Sequence, residues 1–179
     1  MAYFADHLAR FRAILAEQHG ESGHTIPLGH FRLPAATLDE VEPDAAERAV
    51  DVRLGASAPL GGYQNPLDGR DLRVTDVTVR VGYTYHAEGS LDDAADARAF
   101  GGASRDALEA RASEDAALIL AAVGWQPNHA GLDPAVIDCA PDPRGWVLDG
   151  PADGRAILAV PFVLTTRAAF PGTRGPAAS

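Results

Sequence analysis

The sequence predicts one α+β domain, in which an antiparallel or mixed sheet of four to five strands carries two helices on one face. Two segments repeat apolar residues at helical spacing, and several others alternate apolar with polar residues, as half-buried strands do. The strand–helix–strand spacing of a parallel sheet is missing. The expected order is therefore α-β-β-α-β-β, with residues 1–170 as the domain and residues 171–179 as a flexible or partner-docked tail.

Two segments have helical periodicity. Phe4, Leu8, Phe11 and Leu15 recur every three or four residues, which predicts an amphipathic helix over residues 3–18. A second helix begins at a Ser104 N-cap, has acidic residues in its first turns and ends at a glycine, residue 124. Its predicted buried stripe consists of Leu108, Ala112, Asp115 or Ala116, Ile119 and Val123.

The first two strands follow from strict alternation. They are expected over residues 47–54 and 72–85, with a β-bulge near Thr75 or Asp76, where the alternation changes phase. Between them, residues 56–71 are rich in glycine and proline, and we expect a long protruding loop there.

The remaining strands are expected near the C-terminus. Residues 136–139 and 146–148 form a hairpin-like pair around a turn at residues 142–145, and the last strand spans residues 156–170. Within that strand, Pro161 predicts an edge position or a bulge, because proline cannot donate a backbone hydrogen bond.

Two other segments are expected to be irregular connections. Residues 19–46 lose periodicity, apart from a possible extended piece at residues 25–33, and residues 87–103 form an acidic loop.

The strand patterns separate a buried face from a polar one. The expected core includes Val50, Val52, Val79, Val81, Leu158 and Phe162. The opposite face is expected to display Asp51, Arg53, Asp76, Thr78, Arg80, Thr165 and Arg167. A one-residue slip of register would exchange the two faces and bury these charges, so the register should be strongly specified.

Charge narrows the classes of partner. The 179 residues include 25 acidic and 15 basic residues, for a net charge of −10, and every basic residue is arginine. This balance argues against nucleic-acid binding. The apolar run at residues 116–123 is too short to span a membrane, and the N-terminus does not resemble a secretory signal.

The residues that could carry chemistry favour structural roles. His19, His24 and His30 have no rigid metal-ligand spacing, so we expect solvated or structurally hydrogen-bonded histidines and no metal or cofactor. Cys139 falls in a short apolar strand and is expected to be buried and unreactive. Trp125 and Trp146 are expected to fill the core, and either one, if exposed, is a candidate interface anchor. No catalytic residues are predicted.

The order of elements resembles the tail terminator, or tail completion, proteins of tailed phages. The resemblance rests on a helix, two long strands, a second helix and a final strand with the sequence ILAVPFVLTTR at residues 157–167. It implies a ring, usually hexameric, that caps the head-proximal end of the tail tube, stops tube polymerisation and meets a neck or head-completion protein. It also implies contact with the tail tube protein, passage of DNA without specific binding, no membrane, and a place in a virion assembled in the host cytoplasm.

Loops and the tail are the expected contact surfaces, because long ordered loops without core content usually serve binding. The interface candidates are Tyr63, Arg70, Asp92, Asp93, Arg98, Arg167 and Arg174. The candidates for a polar face lining a lumen are Asp51, Arg53, Asp76 and Arg80. Two alternatives stay open: a small α+β enzyme or ligand-binding domain whose site is assembled from distant residues, and a non-viral scaffold that oligomerises through its loops.

Overall fold

A computed structural model describes residues 12, 15, 30–32, 37–42, 46–64, 70–85, 105–124, 136–152 and 154–169. The strands are β1 (Val50–Gln64), β2 (Arg70–Thr84), β3 (Val136–Pro141), β4 (Val147–Ala152) and β5 (Arg155–Ala169), and the helix is α1 (Arg105–Gly124). All five strands form one open antiparallel sheet in the order β1-β2-β5-β3, with β4 also paired to β5. The described residues therefore have an α+β architecture.

Helix α1 covers one face of the sheet, which we call the inner face. The six core residues predicted from alternation are all buried in one cluster there, as is the predicted stripe of α1. Both alternatives in that stripe, Asp115 and Ala116, are fully buried. The separation of an apolar inner face is confirmed, because valines and leucines of β1, β2 and β5 meet the helix as alternation requires.

The first two strands form a much longer hairpin than predicted. The loop expected at residues 56–71 is wrong for residues 56–64 and 70–71, since β1 and β2 each have 15 residues and pair as far as Gln64 and Asp71, while residues 65–69 lie outside the described residues. Ladder hydrogen bonds come from the backbone and need no apolar side chains. Pro59 is compatible with β1 because β1 is an edge strand, where one side needs no donor.

The bulge lies in β1 and not in β2. Leu54 pairs with Val77 and Ser57 with Thr75, so two residues of β1, Gly55 and Ala56, oppose Asp76 of β2. The register between β2 and β5 is continuous over all 15 residues.

Strand β5 is central, so the edge position predicted from Pro161 is wrong. The Pro161 carbonyl accepts a hydrogen bond of 2.9 Å from the Asp142 amide, and the N and C=O of one strand residue point to the same side. The missing N–H therefore faces the junction between β3, which ends opposite Phe162, and β4, which begins opposite Ala159. Proline is tolerated here because no strand residue needs its donor.

The predicted pairing of residues 136–139 with 146–148 is also wrong. Strands β3 and β4 lie one after the other along the same side of β5. The turn at residues 142–145 is confirmed: the Gly145 amide donates to the Asp142 carbonyl at 3.0 Å, and Gly145 has a φ of 78°.

Several predictions fall outside the described residues. Of the predicted first helix only Arg12 and Leu15 are described, and Leu15 is buried in the core. The acidic loop at residues 87–103, Trp125 and the tail at residues 171–179 are not described. Within the described ranges, no helix is both long and apolar enough to cross a membrane.

Candidate functional site

The outer face of the sheet carries the four residues predicted to line a lumen. Arg53 and Asp76 are exposed there, but Arg80 is largely covered and Asp51 is only 4% exposed. The expectation that Asp51 is displayed to solvent is therefore wrong, and the reason lies in the segment that precedes β1.

Residues 37–42 and Ala46 cover the outer face beside Asp51. Leu38 is fully buried, and its amide donates to Asp51 Oδ2 at 3.0 Å. The close approach depends on Gly82, where an added Cβ would lie 2.7 Å from the Ala46 carbonyl oxygen. Arg155 Nη1 donates to the Leu38 carbonyl at 2.6 Å and fixes the segment from the other side. The predicted irregular connection thus supplies part of the core.

The covered carboxylate belongs to an outer-face ion network of Asp39, Asp51, Arg53 and Arg80. Arg80 donates through Nε and Nη2 to the two oxygens of Asp51, at 2.8 and 2.5 Å, and through Nη1 to Asp39 at 3.0 Å. Arg53 also donates to Asp39. The fork of Arg80 satisfies the buried charge with the bidentate geometry that arginine provides.

Three interface candidates come together at one end of the sheet. Tyr63 lies in β1 one residue before Gln64, which pairs with Asp71, and Arg70 begins β2. Arg167 of β5 pairs with Leu72 of β2. These residues therefore lie on three adjacent strands at the end that bears the β1–β2 connection. The other four candidates, Asp92, Asp93, Arg98 and Arg174, are outside the described residues.

A second polar group lies between α1 and the sheet, and we call it the Asp115 cluster (Asp115, His30, Tyr83 and Arg48). The Asp115 side chain is fully buried and accepts from His30 Nε2 at 2.7 Å and from the Tyr83 hydroxyl at 2.8 Å. Arg48 Nε lies 3.4 Å from Asp115 Oδ2. Burial, and then the negative charge of Asp115, raise the pKa of Tyr83 above its ordinary value.

The backbone at the start of β1 is shaped around this cluster. Arg48 has a φ of 49°, in the left-handed region that non-glycine residues rarely adopt. Its amide donates to the Gly82 carbonyl and its carbonyl accepts from the Arg32 amide, which holds the conformation. Beside it, Arg111 Nη1 donates to Glu47 Oε1 at 2.6 Å. The predicted strand over residues 47–54 therefore begins only at Val50.

The cluster can orient α1 against β2, because the buried carboxylate of Asp115 on α1 accepts a hydrogen bond from Tyr83 of β2. The prediction that His30 is structurally hydrogen-bonded is confirmed, whereas His19 and His24 are outside the described residues. In the part of the chain that the structure describes, no group of three histidine, cysteine or acidic side chains could hold a metal ion.

Cys139 lies in β3 against the core, as predicted. It is buried, and burial, reinforced by the charge of Asp138, raises the pKa of its thiol to about 12. A thiol with this pKa is almost entirely protonated near neutral pH, and it is the thiolate that reacts.

Exposed apolar side chains occur at both edges of the sheet. Among the described residues, the exposed large hydrophobic ones are Leu60 of β1 at 43%, Trp146 at 37% and Val147 of β4 at 59%. The prediction that Trp146 fills the core is wrong, and its exposure makes it the candidate interface anchor. Leu60 and Val147 were missed because the sequence pattern does not show which strands lie at the edges.

The chain was compared with known proteins at the level of sequence. No protein-family model matches it, and no curated protein sequence gives a significant match.

Proposed function

We propose that this chain is a structural protein of a tailed phage or phage-like particle. It forms a ring at the head-proximal end of the tail tube, terminates tube polymerisation and joins the tail to the neck. The proposal includes a first helix over residues 3–18, which gives the order α-β-β-α-β-β, and two helices on the inner face.

The observation that carries the proposal is the long β1–β2 hairpin. Strand β1 contributes to the core only as far as Leu54. Beyond it, residues 55–60 are exposed, apart from half-buried Ser57, although residues 57–59 continue the ladder with β2. Strand residues that extend past the core of their own chain need another contact to stay ordered. In the proposed particle, a neighbouring protein supplies that contact.

The position of the interface candidates agrees with this role. The end of the sheet with Tyr63, Arg70 and Arg167 is where the hairpin reaches furthest from the residues that α1 covers. In the proposed ring this end meets the tail tube protein or the neck protein. Arginine suits such a contact, because its guanidinium forms paired hydrogen bonds with carboxylates across an interface.

The charge also agrees with the role. A net charge of −10 repels a passing genome at long range, so a channel through the ring would let DNA through without holding it.

The test is a particle that lacks this protein. Tails should be longer than normal or should fail to join filled heads, and supplying the intact chain should restore both properties. Normal tails on infectious particles without the protein would remove the proposal. Native mass measurement and electron micrographs of the purified chain should show a closed ring, with six copies as the expected number.

One observation favours the alternative of a small enzyme or ligand-binding domain. The His30–Asp115 pair lies beside a strained Arg48, and strained backbone and buried charge pairs collect at functional sites. The variant His30→Ala separates the two proposals. In the structural role it should affect tails only through stability, whereas a stable variant without biological activity would favour the alternative.

A further inference from the structure

The sheet has two edges that run in opposite directions. It is four strands wide, from β1 through β2 and β5 to β3 and β4, and all neighbours are antiparallel. The edge strands β1 and β4 run in opposite directions, because the sheet is an even number of antiparallel strands wide. When two copies are related by rotation about an axis along the strands, β1 of one copy is therefore antiparallel to β4 of the next. A ring can therefore continue the sheet from copy to copy.

One short regular stretch on each edge suits such a contact. On β1 the stretch is residues 52–54: it starts beyond Val50, whose amide donates to the Arg32 carbonyl, and it stops at the bulge of Gly55 and Ala56. On β4 the stretch is residues 147–149, between the turn at residues 142–145 and the break in register after Asp149. No strand in the described part of the chain pairs with either stretch from outside.

The backbone groups of the two stretches have matching directions. The Val50 amide points away from β2, so alternation turns the N–H and C=O of Val52 and Leu54 outward as well. The Pro161 carbonyl points toward β3 and β4, as does that of Ala159 two residues earlier, so Val147 opposite Ala159 bonds inward. Leu148 therefore directs its N–H and C=O to the outer edge, ready for Leu54.

The side chains of this register also match. Leu54 and Leu148 are both half-buried against the inner-face core, so pairing them would continue that core between copies. Arg53 and Asp149 then face each other on the outer face, both exposed and of opposite charge. The Val147 side chain, the most exposed large apolar one described, would lie beside Gly55 of the neighbour, next to the contact.

The geometry of the register suits a closed ring. Arg53 is level with Pro161 of β5, because both pair with Thr78 of β2, whereas Asp149 of β4 pairs with Ile157 of β5. The two residues that would meet between copies are therefore level with positions four residues apart on β5, which is an offset of four residues over four strands. This offset corresponds to a stagger of one residue per strand. A closed barrel of eight strands with a shear number of eight has the same stagger per strand, and its strands tilt by about 36°. Strands that tilt relative to the ring axis, as in a barrel, accommodate this offset without a rise from copy to copy.

We infer that Arg53 and Leu54 of one copy pair with Asp149 and Leu148 of a second copy, with Leu54 opposite Leu148 and Arg53 opposite Asp149. The contact is heterologous, since each copy uses two different edges. This inference goes beyond the proposed function, because it specifies a contact between copies whether or not the ring caps a tail tube.

A double variant, Arg53→Cys with Asp149→Cys, tests the register. Because Leu54 and Leu148 exchange the backbone bonds, Arg53 and Asp149 form a pair without them, with Cα atoms about 4.5 Å apart. That separation allows a disulfide. Under mild oxidation the double variant should give a ladder of covalent oligomers on non-reducing gels, and a mixture of the two single variants should give dimers only.

The controls separate this contact from others. The wild-type chain is the control for any disulfide formed by Cys139. The double variant Asp76→Cys with Asp149→Cys is the control for position, because it places an equally exposed cysteine one strand away from the edge. Melting temperatures should show that every variant is folded. Dimers from either single variant alone would mean that like edges pair, and no ladder at the highest protein concentration would mean that the edges do not pair; either result overturns the inference. Tail length in particles tests the proposed function separately.

Discussion

The Tyr83 hydroxyl donates a hydrogen bond of 2.8 Å to Asp115, which ties the end of strand β2 to the middle of helix α1. The other oxygen of the same carboxylate accepts from His30. A buried carboxylate is tolerated only while its donors are present, so the packing of the helix on the sheet depends on this contact.

We predict that Asp115→Ala destabilises the fold by roughly 3–5 kcal/mol, because the donors around it lose their acceptor inside the core. Tyr83→Phe should cost about 1.5–3 kcal/mol, since it removes one hydrogen bond to a charged group. Urea unfolding measures both. Glu114→Ala, an exposed neighbour on the same helix, is the matched control and should change stability little. An Asp115→Ala variant as stable as the control would contradict the structural role.

The pH dependence of stability should carry the signature of Tyr83. The pKa of Tyr83 is raised in the folded state, so Tyr83 makes its full contribution to the free energy of unfolding below the ordinary tyrosine pKa of about 10. Above that pH the unfolded chain releases the proton and the folded chain keeps it, so stability falls as pH rises. In an absorbance titration, Tyr83 should ionise only on unfolding, and Tyr83→Phe should remove that phase. Tyr85→Phe should leave it in place.

The two arginines of the outer-face ion network should respond differently to lysine. Arg80→Lys keeps the charge but loses the fork on buried Asp51, and it should cost about 1–3 kcal/mol. Arg53→Lys should fall within about 0.5 kcal/mol of wild type, because the Arg53 side chain is 44% exposed. Thermal or urea unfolding compares them, and equal losses would show that the fork adds nothing.

Cys139 should resist thiol reagents in the folded protein. Its burial and its pKa of about 12 leave almost no accessible thiolate at pH 8. A colorimetric disulfide reagent should therefore modify one thiol per chain in concentrated urea and almost none without it. Rapid modification of the native protein would place the side chain at the surface.

Deleting residues 60–68 should separate folding from assembly. The deletion removes the far end of the hairpin, whereas the buried part of β1 ends at Val52 and that of β2 begins at Thr75. Circular dichroism should report a folded chain, but the shortened chain should not rescue tail completion. A fully competent particle with this variant would show that the hairpin end makes no essential contact.

The alternation of side chains was enough to predict the inner face. Val50, Val79 and Leu158 are buried together because period-two patterns can satisfy only one packing, with the apolar side toward a helix. The pattern at residues 105–124 was equally informative, since it combined a cap, acidic first turns and a continuous apolar stripe.

The contacts that the sequence pattern missed all depend on neighbours distant in the chain. Asp51 alternates like an exposed residue, and only the later position of Leu38 above it makes it buried. Residues 56–64 have the composition of a loop, yet they belong to a strand that pairs with β2, and Ser57 also accepts hydrogen bonds from the side chains of Arg73 and Thr75. The Asp115 cluster joins residues 85 positions apart, which no local periodicity could reveal.

Pro161 affects the edge of the sheet that the chain exposes before it assembles with any partner. By interrupting the row of donors on β5, it divides one side of a fifteen-residue strand between two short strands, so that edge of the sheet is broken in the middle. Long, flat, uninterrupted edges are the templates on which fibrillar aggregates grow. Strands β3 and β4, of six residues each, leave no template of that length on this side of the described sheet.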